Sequence, residues 1–220
     1  MTSVESVARI ETDRLVLRER LPSDAEAWGP LLTDPDFRRY VPVRRSTESP
    51  ADRARRTLDA LMQRWQSDPL DAVGWVITLR DDGTVMGTGG VDTAEDPGDR
   101  EIDYMLGKPF WGQGFGREAA HAMARFVLEH LSFRRLIAYI VPGNEASIRI
   151  AEGLGLRYER DVNYLEFFPE PSQIELSSPV TRMYAAKREQ ITLRDGFYRV
   201  SGPASTVVPA ADSNESAPPG

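Results

Sequence analysis

The segment from residue 101 to residue 131 restricts the fold of this chain more than any other part of the sequence. A strand-like run, Glu101–Leu106, leads into a loop with glycine at alternate positions over Gly112–Gly116. Apolar residues at helical spacing then predict a helix over 117–131. Because the free N–H groups and the positive dipole end of that helix face the loop, the segment predicts an anion site. The glycines let the backbone approach a phosphate without Cβ clashes.

The glycine spacing alone does not identify the phosphate ligand. Gly114-x-Gly116-x-x-Ala119 satisfies the dinucleotide fingerprint, but seven residues separate Leu106 from Gly114, whereas the dinucleotide turn follows its strand directly. A nucleotide triphosphate loop requires Lys and Ser or Thr after its last glycine, which this sequence lacks. A strand-to-helix turn that binds nothing is the remaining alternative.

Alternating strand and helix patterns surround the glycine loop. Strands are predicted at 10–20, 73–80, 85–92, 135–141, 156–168 and 181–186, and helices after Ser23, after Ser49 and at 144–153. The runs at 73–80 and 85–92 form a hairpin signal, and the glycines of the second run indicate a bulge or a close backbone approach. The alternation predicts an α/β domain with a ligand crevice at the carboxyl ends of parallel strands.

The composition excludes several classes of protein. Without cysteine, the chain has no disulfide framework, thiolate zinc site or cysteine nucleophile. The 34 Asp and Glu outnumber the 27 Lys and Arg, for a net charge of −7, which argues against a nucleic-acid partner. No apolar run approaches the roughly 18 residues of a membrane span, and the N-terminus lacks a signal-peptide pattern. We therefore expect no membrane segment and a cytoplasmic location.

Two other features complete the sequence pattern. His121 and His130 lie nine residues apart on the predicted helix and hence on opposite faces, so they cannot share a metal ion, and we expect no metal site. In the tail at 201–220, half of the positions are Pro, Gly or Ser and none is aromatic. Such a segment buries too little apolar surface to offset its ordering entropy, which predicts a disordered tail.

Four motifs together resemble the GNAT family of N-acetyltransferases, in particular its ribosomal-protein-alanine acetyltransferase branch. They are Glu-Thr-Asp-Arg-Leu-Val-Leu-Arg near the start, Glu-Ile-Asp-Tyr at residue 101, Trp-Gly-Gln-Gly-Phe-Gly-Arg-Glu-Ala at residue 111, and Asn-Glu-Ala-Ser-Ile-Arg-Ile-Ala-Glu-Gly-Leu-Gly-Leu at residue 144. The family pattern Arg/Gln-x-x-Gly-x-Gly/Ala falls on Trp111–Gly116, with Trp111 in the first position. The resemblance spans 10–187, so we assign 1–187 to an N-acetyltransferase domain and allow an extra strand within 188–200.

The resemblance implies a fold and an acyl donor, acetyl-CoA. It implies a mixed, mostly antiparallel sheet flanked by helices, whose fourth and fifth strands, 101–106 and 135–141, splay apart around the pantetheine arm. It further implies cofactor contacts from the backbone of Met105 and Leu106, from the amides around Gln113, Gly114, Gly116 and Arg117, and from Asn144. An ordinary role as helix N-cap stays open for Asn144.

The resemblance also indicates catalytic candidates. Glu101 falls where many relatives keep a glutamate that deprotonates the amine, and Asp103 lies on the same strand face; a solvated strand end or a salt bridge is the alternative for Glu101. Many relatives place a tyrosine acid on the helix after the fifth strand, but the matching residue here is Ala151. Ser147 could instead hydrogen-bond the departing sulfur, unless its hydroxyl only bonds its own helix.

Acceptor specificity is expected to come from the two N-terminal helices and from the segment 163–180, for which a plain surface connection is the alternative. Aromatic and acidic residues are interleaved in this segment: Tyr164, Glu166, Phe167, Phe168, Glu170 and Glu175. This composition suits a cationic amine, such as a peptide N-terminus, a polyamine or an amino sugar. We therefore expect direct acetyl transfer from acetyl-CoA to a primary amine, without a covalent enzyme intermediate. A catalytically silent acyl-CoA-binding module is the alternative, and a homodimer stays open.

Overall fold

A nine-stranded sheet forms the centre of the molecule. The structure, a computed structural model, describes residues 8–41, 43–45, 47–49, 51–53, 55–56, 59, 72–167, 170, 172 and 174–202. The strands are β1 (Arg9–Thr12), β2 (Leu15–Arg18), β3 (Val43–Arg44), β4 (Ala72–Leu79), β5 (Val85–Thr93), β6 (Asp99–Leu106), β7 (Arg135–Ile140), β8 (Arg157–Asn163), β9 (Ile174–Glu175), β10 (Val180–Lys187) and β11 (Tyr198–Ser201). The helices are α1 (Asp24–Thr33), α2 (Pro35–Arg38), α3 (Phe115–His130) and α4 (Glu145–Gly153). The order of the strands in the nine-stranded sheet is β11-β1-β2-β4-β5-β6-β7-β10-β8, and β3 and β9 form a separate pair.

The sheet is antiparallel except between β6 and β7, which run parallel. Their register covers only three positions, from Asp99 opposite Arg135 to Glu101 opposite Ile137, after which the two strands diverge. These are the strands for which the family resemblance implies a splay. The mixed, mostly antiparallel fold is therefore confirmed, whereas the α/β alternation alone had indicated more parallel pairing.

Helix α3 covers one face of the sheet with the amphipathic pattern that its sequence predicts. Its buried face includes Met123 and Phe126, and the ring of Phe126 meets that of Trp75 edge-on at a centroid distance of 5.3 Å. On the opposite face, Trp28 of α1 packs against Met105. The β6 strand therefore has a helix on each side, and residues that alternate along it face different layers.

Two predicted strands have different limits in the structure. The run 10–20 is not one strand but the hairpin of β1 and β2, because the Thr12 hydroxyl accepts a hydrogen bond from Leu15 N at 3.0 Å and closes a turn. The run 156–168 is a strand only to Asn163, since 164–167 form a 3₁₀ turn. Local side-chain bonding of this kind does not alter the hydrophobic pattern, so periodicity alone misses it.

The hairpin of β4 and β5 contains the bulge and the close approach that its glycines indicate. Ile77 lies opposite Gly87 and Thr78 opposite Val85, so Met86 is the extra residue. A Cβ atom on Gly87 would lie 1.9 Å from the carbonyl oxygen of Met105 in β6. Glycine is therefore required where β5 and β6 meet.

The helix that was predicted after Ser49 is described only in part. Residues 51–53, 55, 56 and 59 are helical, and the Ser49 hydroxyl accepts from Asp52 N at 3.1 Å, as an N-cap does. The apolar positions Ala54, Leu58, Leu61, Met62 and Trp65 lie outside the described residues. In the part of the chain that the structure describes, no helix has the length and apolar character needed to cross a membrane.

The segment after β10 joins the sheet through β11, which pairs with β1 so that Val200 lies opposite Ile10. Ile191, Leu193 and Tyr198 pack against the main core on the way. Residues beyond 202 lie outside the described residues, so the disordered tail stays a prediction, as do the domain limits.

The carboxylate of Asp99 binds the two arginines that begin β7, at the closed end of the β6–β7 pair. Its side chain is 1% exposed and accepts bonds from Arg134 Nε at 3.1 Å and Arg135 Nε at 2.9 Å. Burial alone raises the pKa of Asp99, but the hydrogen bonds from Arg135 and Arg134 outweigh it and lower the pKa below its usual value. A carboxyl whose pKa is lower in the folded protein stabilises the fold at pH values above its pKa in the unfolded chain, which is about 4. This stabilisation is lost as the pH falls through the pKa of the folded protein.

We therefore predict that Asp99→Asn lowers the free energy of unfolding by about 1–3 kcal/mol at pH 7, an amount reduced from that of a fully buried pair because both arginines are partly exposed. Urea unfolding at pH 7 and at pH 3 measures this free energy. The difference in free energy of unfolding between the parent protein and Asp99→Asn should be smaller at pH 3 than at pH 7. Asp81→Asn, on an exposed turn, is the control. An equal loss at both pH values would show that the charge of Asp99 contributes nothing.

Candidate active site

A cleft of about 1370 Å³ opens where β6 and β7 diverge. Residues from both strands, from the glycine loop and from α4 line it, among them Tyr104, Leu106, Gly114, Ile140 and Ser147. Of the predicted site residues, Glu101, Met105, Leu106, Gly114, Gly116, Arg117, Asn144 and Ser147 all line this cleft, and Gln113 does not. The structure thus brings together motifs that are more than forty residues apart in the sequence.

The hydrogen bonds at the two ends of β6 fix which of its backbone groups face the cleft. The N–H of Ala94 bonds to Asp99 O at 3.2 Å, and the N–H of Gly107 bonds to Met86 O at 2.8 Å. Because bonding alternates along an antiparallel ladder, the odd-numbered residues of β6 bond to β5. The even-numbered residues direct their N–H and C=O groups toward β7, and after residue 101 that strand has moved away.

This register distinguishes Met105 from Leu106. Met105 lies opposite Thr88 and uses its backbone groups within the sheet, whereas Tyr104 and Leu106 direct theirs into the gap. The indole N–H of Trp111 donates to Leu106 O at 2.6 Å, so this carbonyl retains one lone pair for a further donor. The backbone groups that face the gap therefore come from Tyr104 and Leu106 rather than from Met105.

The glycine loop ends in a helix start with unsatisfied amides. Gly114 has a left-handed φ of 82° and is the N-cap of α3, and among the described residues no side chain caps this end. The amides of Phe115, Gly116 and Arg117 are the first three of the helix and have no acceptor within it. Together with the dipole, they form a site for an anion.

Arg14, which is not among the predicted site residues, connects this loop to the β1–β2 turn. Its Nη1 donates to Gln113 O at 3.1 Å, its Nε donates to Glu118 Oε2 at 2.7 Å, and its guanidinium lies 4.3 Å from the ring centre of Phe115. Glu118 also accepts from the Thr12 hydroxyl at 2.6 Å. These bonds hold the loop in place and occupy the carbonyl of Gln113, which does not line the cleft.

The start of α4 supplies two predicted residues. Asn144 is the N-cap, since its Oδ1 accepts from Ser147 N at 3.3 Å. The Ser147 side chain hydrogen-bonds to the Tyr104 hydroxyl; burial raises the pKa of Tyr104 to about 12, although this bond lowers it. Ala151 is 4% exposed and offers no hydroxyl. A phenol therefore reaches this part of the cleft from β6 instead of from α4.

Carboxylates gather at the far end of the cleft. Glu101 and Asp103 line it, as expected for one strand face, and Asp92 and Glu95 join them from β5 and the turn after it. The Tyr164 hydroxyl donates to Glu101 Oε1 at 3.4 Å.

Arg20 lies close to these acids and is 3% exposed. Burial lowers its pKa to about 9, while the charges of Asp103, Asp92 and Asp24 raise it. The guanidinium remains charged at neutral pH and offsets part of the negative charge.

Three aromatic rings stand beside the acids. Tyr139, Tyr164 and Phe167 are in mutual contact, with centroid distances of 5.4, 5.2 and 5.4 Å. Burial, and then the charges of Glu101 and Glu95, raise the pKa of Tyr139 to about 12. Burial and the same Glu101 raise the pKa of Tyr164 as well, so both phenols stay protonated at neutral pH. Tyr164 and Phe167 belong to the predicted acceptor segment, whereas Tyr139 was not predicted, because its strand shows no distinguishing pattern.

Residues 14–157, more than half of the chain, match the family described as the acetyltransferase (GNAT) domain. The chain belongs to the GNAT acetyltransferase family. It is therefore an acetyl-CoA-dependent acyltransferase, and the family acts on amine substrates. The prediction that was drawn from the four motifs is confirmed at this level.

Known relatives agree with this assignment. The uncharacterized protein YkkB of Bacillus subtilis (strain 168) is 30% identical over 158 residues, which are 70% of this chain and 88% of that protein. The solved structure of a GNAT-family acetyltransferase from Bacillus anthracis superposes with a TM-score of 0.65 at 21% identity, over 82% of this chain and 99% of that one. The structure of a ribosomal L7/L12 alpha-N-protein acetyltransferase in complex with coenzyme A superposes with a TM-score of 0.61 at 17% identity, over 80% of this chain and 95% of that one. At these identities the two structures show the shared fold.

Proposed function

We propose that this GNAT protein transfers acetyl from acetyl-CoA directly to a cationic primary amine, either a small molecule or a peptide N-terminus. The observation that carries the proposal is that one cleft joins an uncapped helix start to a cluster of acids and aromatic rings. The first end suits a phosphorylated donor and the second an ammonium group. The diverging strands connect the two ends.

The donor end fits the chemistry of acetyl-CoA. The amides from Gly114 to Arg117 face an anion and suit the diphosphate, with Gln113 supporting the loop through Arg14. The backbone of Leu106 and Tyr104 suits the two pantetheine amides, which pair as a short strand does. Asn144 lines the same path. When bound, acetyl-CoA supplies an acetyl group that is activated as a thioester.

The acceptor end attracts and orients an ammonium group. Four carboxylates, Asp92, Glu95, Glu101 and Asp103, line this end of the cleft. The buried guanidinium of Arg20 and the exposed Arg160, which pairs with Glu95 at 3.4 Å, offset only part of their charge. Negative charge at the end of a cleft raises the local concentration of a cation. Tyr139, Tyr164 and Phe167 add ring faces for cation–π contact. The same features disfavour an anionic acceptor.

Glu101 takes the proton that the ammonium must lose before it can attack, either directly or through water. The Tyr164 hydroxyl donates to Glu101 Oε1, which helps to orient the carboxylate in the cleft. At the donor side, the single proton of the Ser147 hydroxyl turns to the departing sulfur. The Ser147 oxygen then accepts from the Tyr104 phenol, whose pKa is raised by burial to about 12. Since a thiol has a pKa of about 8.5, the sulfur does not need a strong acid.

The transfer itself is tested by incubating the full chain with acetyl-CoA and a panel of amines and measuring amine-dependent release of free thiol. Release with cationic primary amines, and none with anionic acceptors, is the expected result. Tight binding of acetyl-CoA without release for any amine would favour the silent acyl-CoA-binding module, for which Ala151 is the supporting observation. A homodimer stays a prediction, which light scattering on the same sample checks.

We predict that Glu101→Gln lowers kcat/KM at pH 7 by at least about 100-fold, the usual size of general-base catalysis, while the Kd for acetyl-CoA stays unchanged. The deficit should narrow as the pH rises toward the pKa of the amine, because more of the amine is then already neutral. Glu189→Gln removes the same charge on an exposed turn and serves as the control. A pH-independent deficit would rule out Glu101 as the base.

We also predict that Gly114→Val both destabilises the fold and weakens CoA binding. Valine at a left-handed φ costs about 1–2 kcal/mol and redirects the amides that follow. Gly83→Val is a matched control, since Gly83 has a φ of 75° on the β4–β5 turn, where an added Cβ meets nothing within 4 Å. Calorimetry should show CoA affinity reduced at least about tenfold for Gly114→Val only. Equal affinities for the two variants would contradict the diphosphate assignment.

A further inference from the structure

A second pocket, of about 270 Å³, lies between α3 and the C-terminal extension, by which we mean residues 191–201. Gly114, Arg117 and Arg194 line both this pocket and the main cleft, so the two spaces meet at the glycine loop. Arg194 belongs to the extension and lies beyond residue 157, where the match to the family domain ends. The pocket therefore combines residues of the matched family segment with residues of the extension.

The pocket contains a buried hydrogen-bond donor without an acceptor. His121, on the second turn of α3, is 8% exposed, and its Nδ1 accepts the backbone N–H of Arg194 at 3.3 Å. The proton of the neutral ring is therefore on Nε2. That atom is buried and has no hydrogen-bond partner among the described residues. Since buried donors are rarely left unpaired in folded proteins, its environment points to a ligand that accepts a hydrogen bond.

The charges around His121 show which ligand suits the pocket. Burial, followed by the charges of Arg194, Arg117 and Arg125, lowers the pKa of His121 to about 4. A second cation would therefore be repelled, and an anion would be attracted by three guanidinium groups. The pocket also has three carboxylates, those of Asp13, Glu118 and Asp195. Glu118 is already bonded to Arg14 and Thr12, so the charge of Arg14, a fourth arginine of the pocket, offsets that of Glu118.

We infer that this pocket binds the 3′-phosphate of acetyl-CoA, with Arg194 and Arg117 supplying the charge and His121 Nε2 the hydrogen bond. The inference rests on the proposed function, because it takes the diphosphate to lie on the amides that follow Gly114. In CoA the 3′-phosphate is attached to the same ribose as the diphosphate, so the two groups must occupy neighbouring sites. Gly114 and Arg117 line both the main cleft and this pocket, so the two sites are adjacent.

The experiment compares the binding of acetyl-CoA and 3′-dephospho-acetyl-CoA to the full chain by calorimetry. The parent protein should bind acetyl-CoA at least about tenfold more tightly, as expected for one charge-assisted phosphate contact. Arg194→Ala and His121→Leu should each bring this ratio close to one without changing the affinity for the dephospho form. Arg194→Ala keeps the backbone N–H that His121 accepts, so it preserves the anchoring of the extension.

Arg199→Ala is the matched control, because it removes the same charge from the same extension at a residue that pairs with Glu11 outside the pocket. It should retain the full preference for acetyl-CoA. Equal affinity of the parent protein for both compounds would overturn the assignment. The assignment would also be overturned if the parent protein bound both compounds equally while inorganic phosphate raised its Tm and did not raise that of His121→Leu. The pocket would then bind free phosphate and not the 3′-phosphate of acetyl-CoA. If neither compound binds, the proposed function fails, and this inference fails with it.

Discussion

The site depends on one constraint, which is that the parallel pairing of β6 and β7 stops after three residues. Backbone groups that leave a ladder need other partners, and burying them unpaired is costly. Along β6 the odd-numbered residues remain satisfied by β5, so the strand stays ordered although its other edge is open. The bonds of Asp99 to Arg134 and Arg135 hold the paired end closed. The gap is thus a rigid feature of the sheet that a ligand with strand-like amides can complete.

Rigidity at the two ends of the gap has different physical sources. At the glycine loop it comes from charged bonds over long sequence distances, because Arg14 and Thr12 both hold Glu118 in the first turn of α3. At the acceptor end it comes from packed rings and from a buried guanidinium beside several acids. A site that is already ordered loses little entropy on binding, which favours affinity and correct orientation.

The sequence predicts those parts of the molecule that are encoded locally. The amphipathic pattern of α3, the glycine bulge of β5 and the N-caps at Ser49 and Asn144 each involve residues only a few positions apart, and each has a counterpart in the structure. The splay itself followed from the family resemblance and not from periodicity. Arg14, which lies 99 residues from the carbonyl that it binds, had no local signal at all. Tyr139 is another such case, since only the folded sheet brings it to Tyr164.

The C-terminal extension links the edge of the sheet to the donor end of the cleft. Strand β11 covers β1, the strand that would otherwise be the open edge, so ladder bonds hold the extension in place without any ligand. The chain must cross α3 to reach that edge, and on the way Thr192 N bonds to Leu154 O at 2.9 Å and Arg194 N bonds to His121. The position of Arg194 is therefore set by the fold. An arginine fixed in this way costs less entropy to use than one on a free tail, and for this reason a segment beyond the shared domain can still contribute to the site.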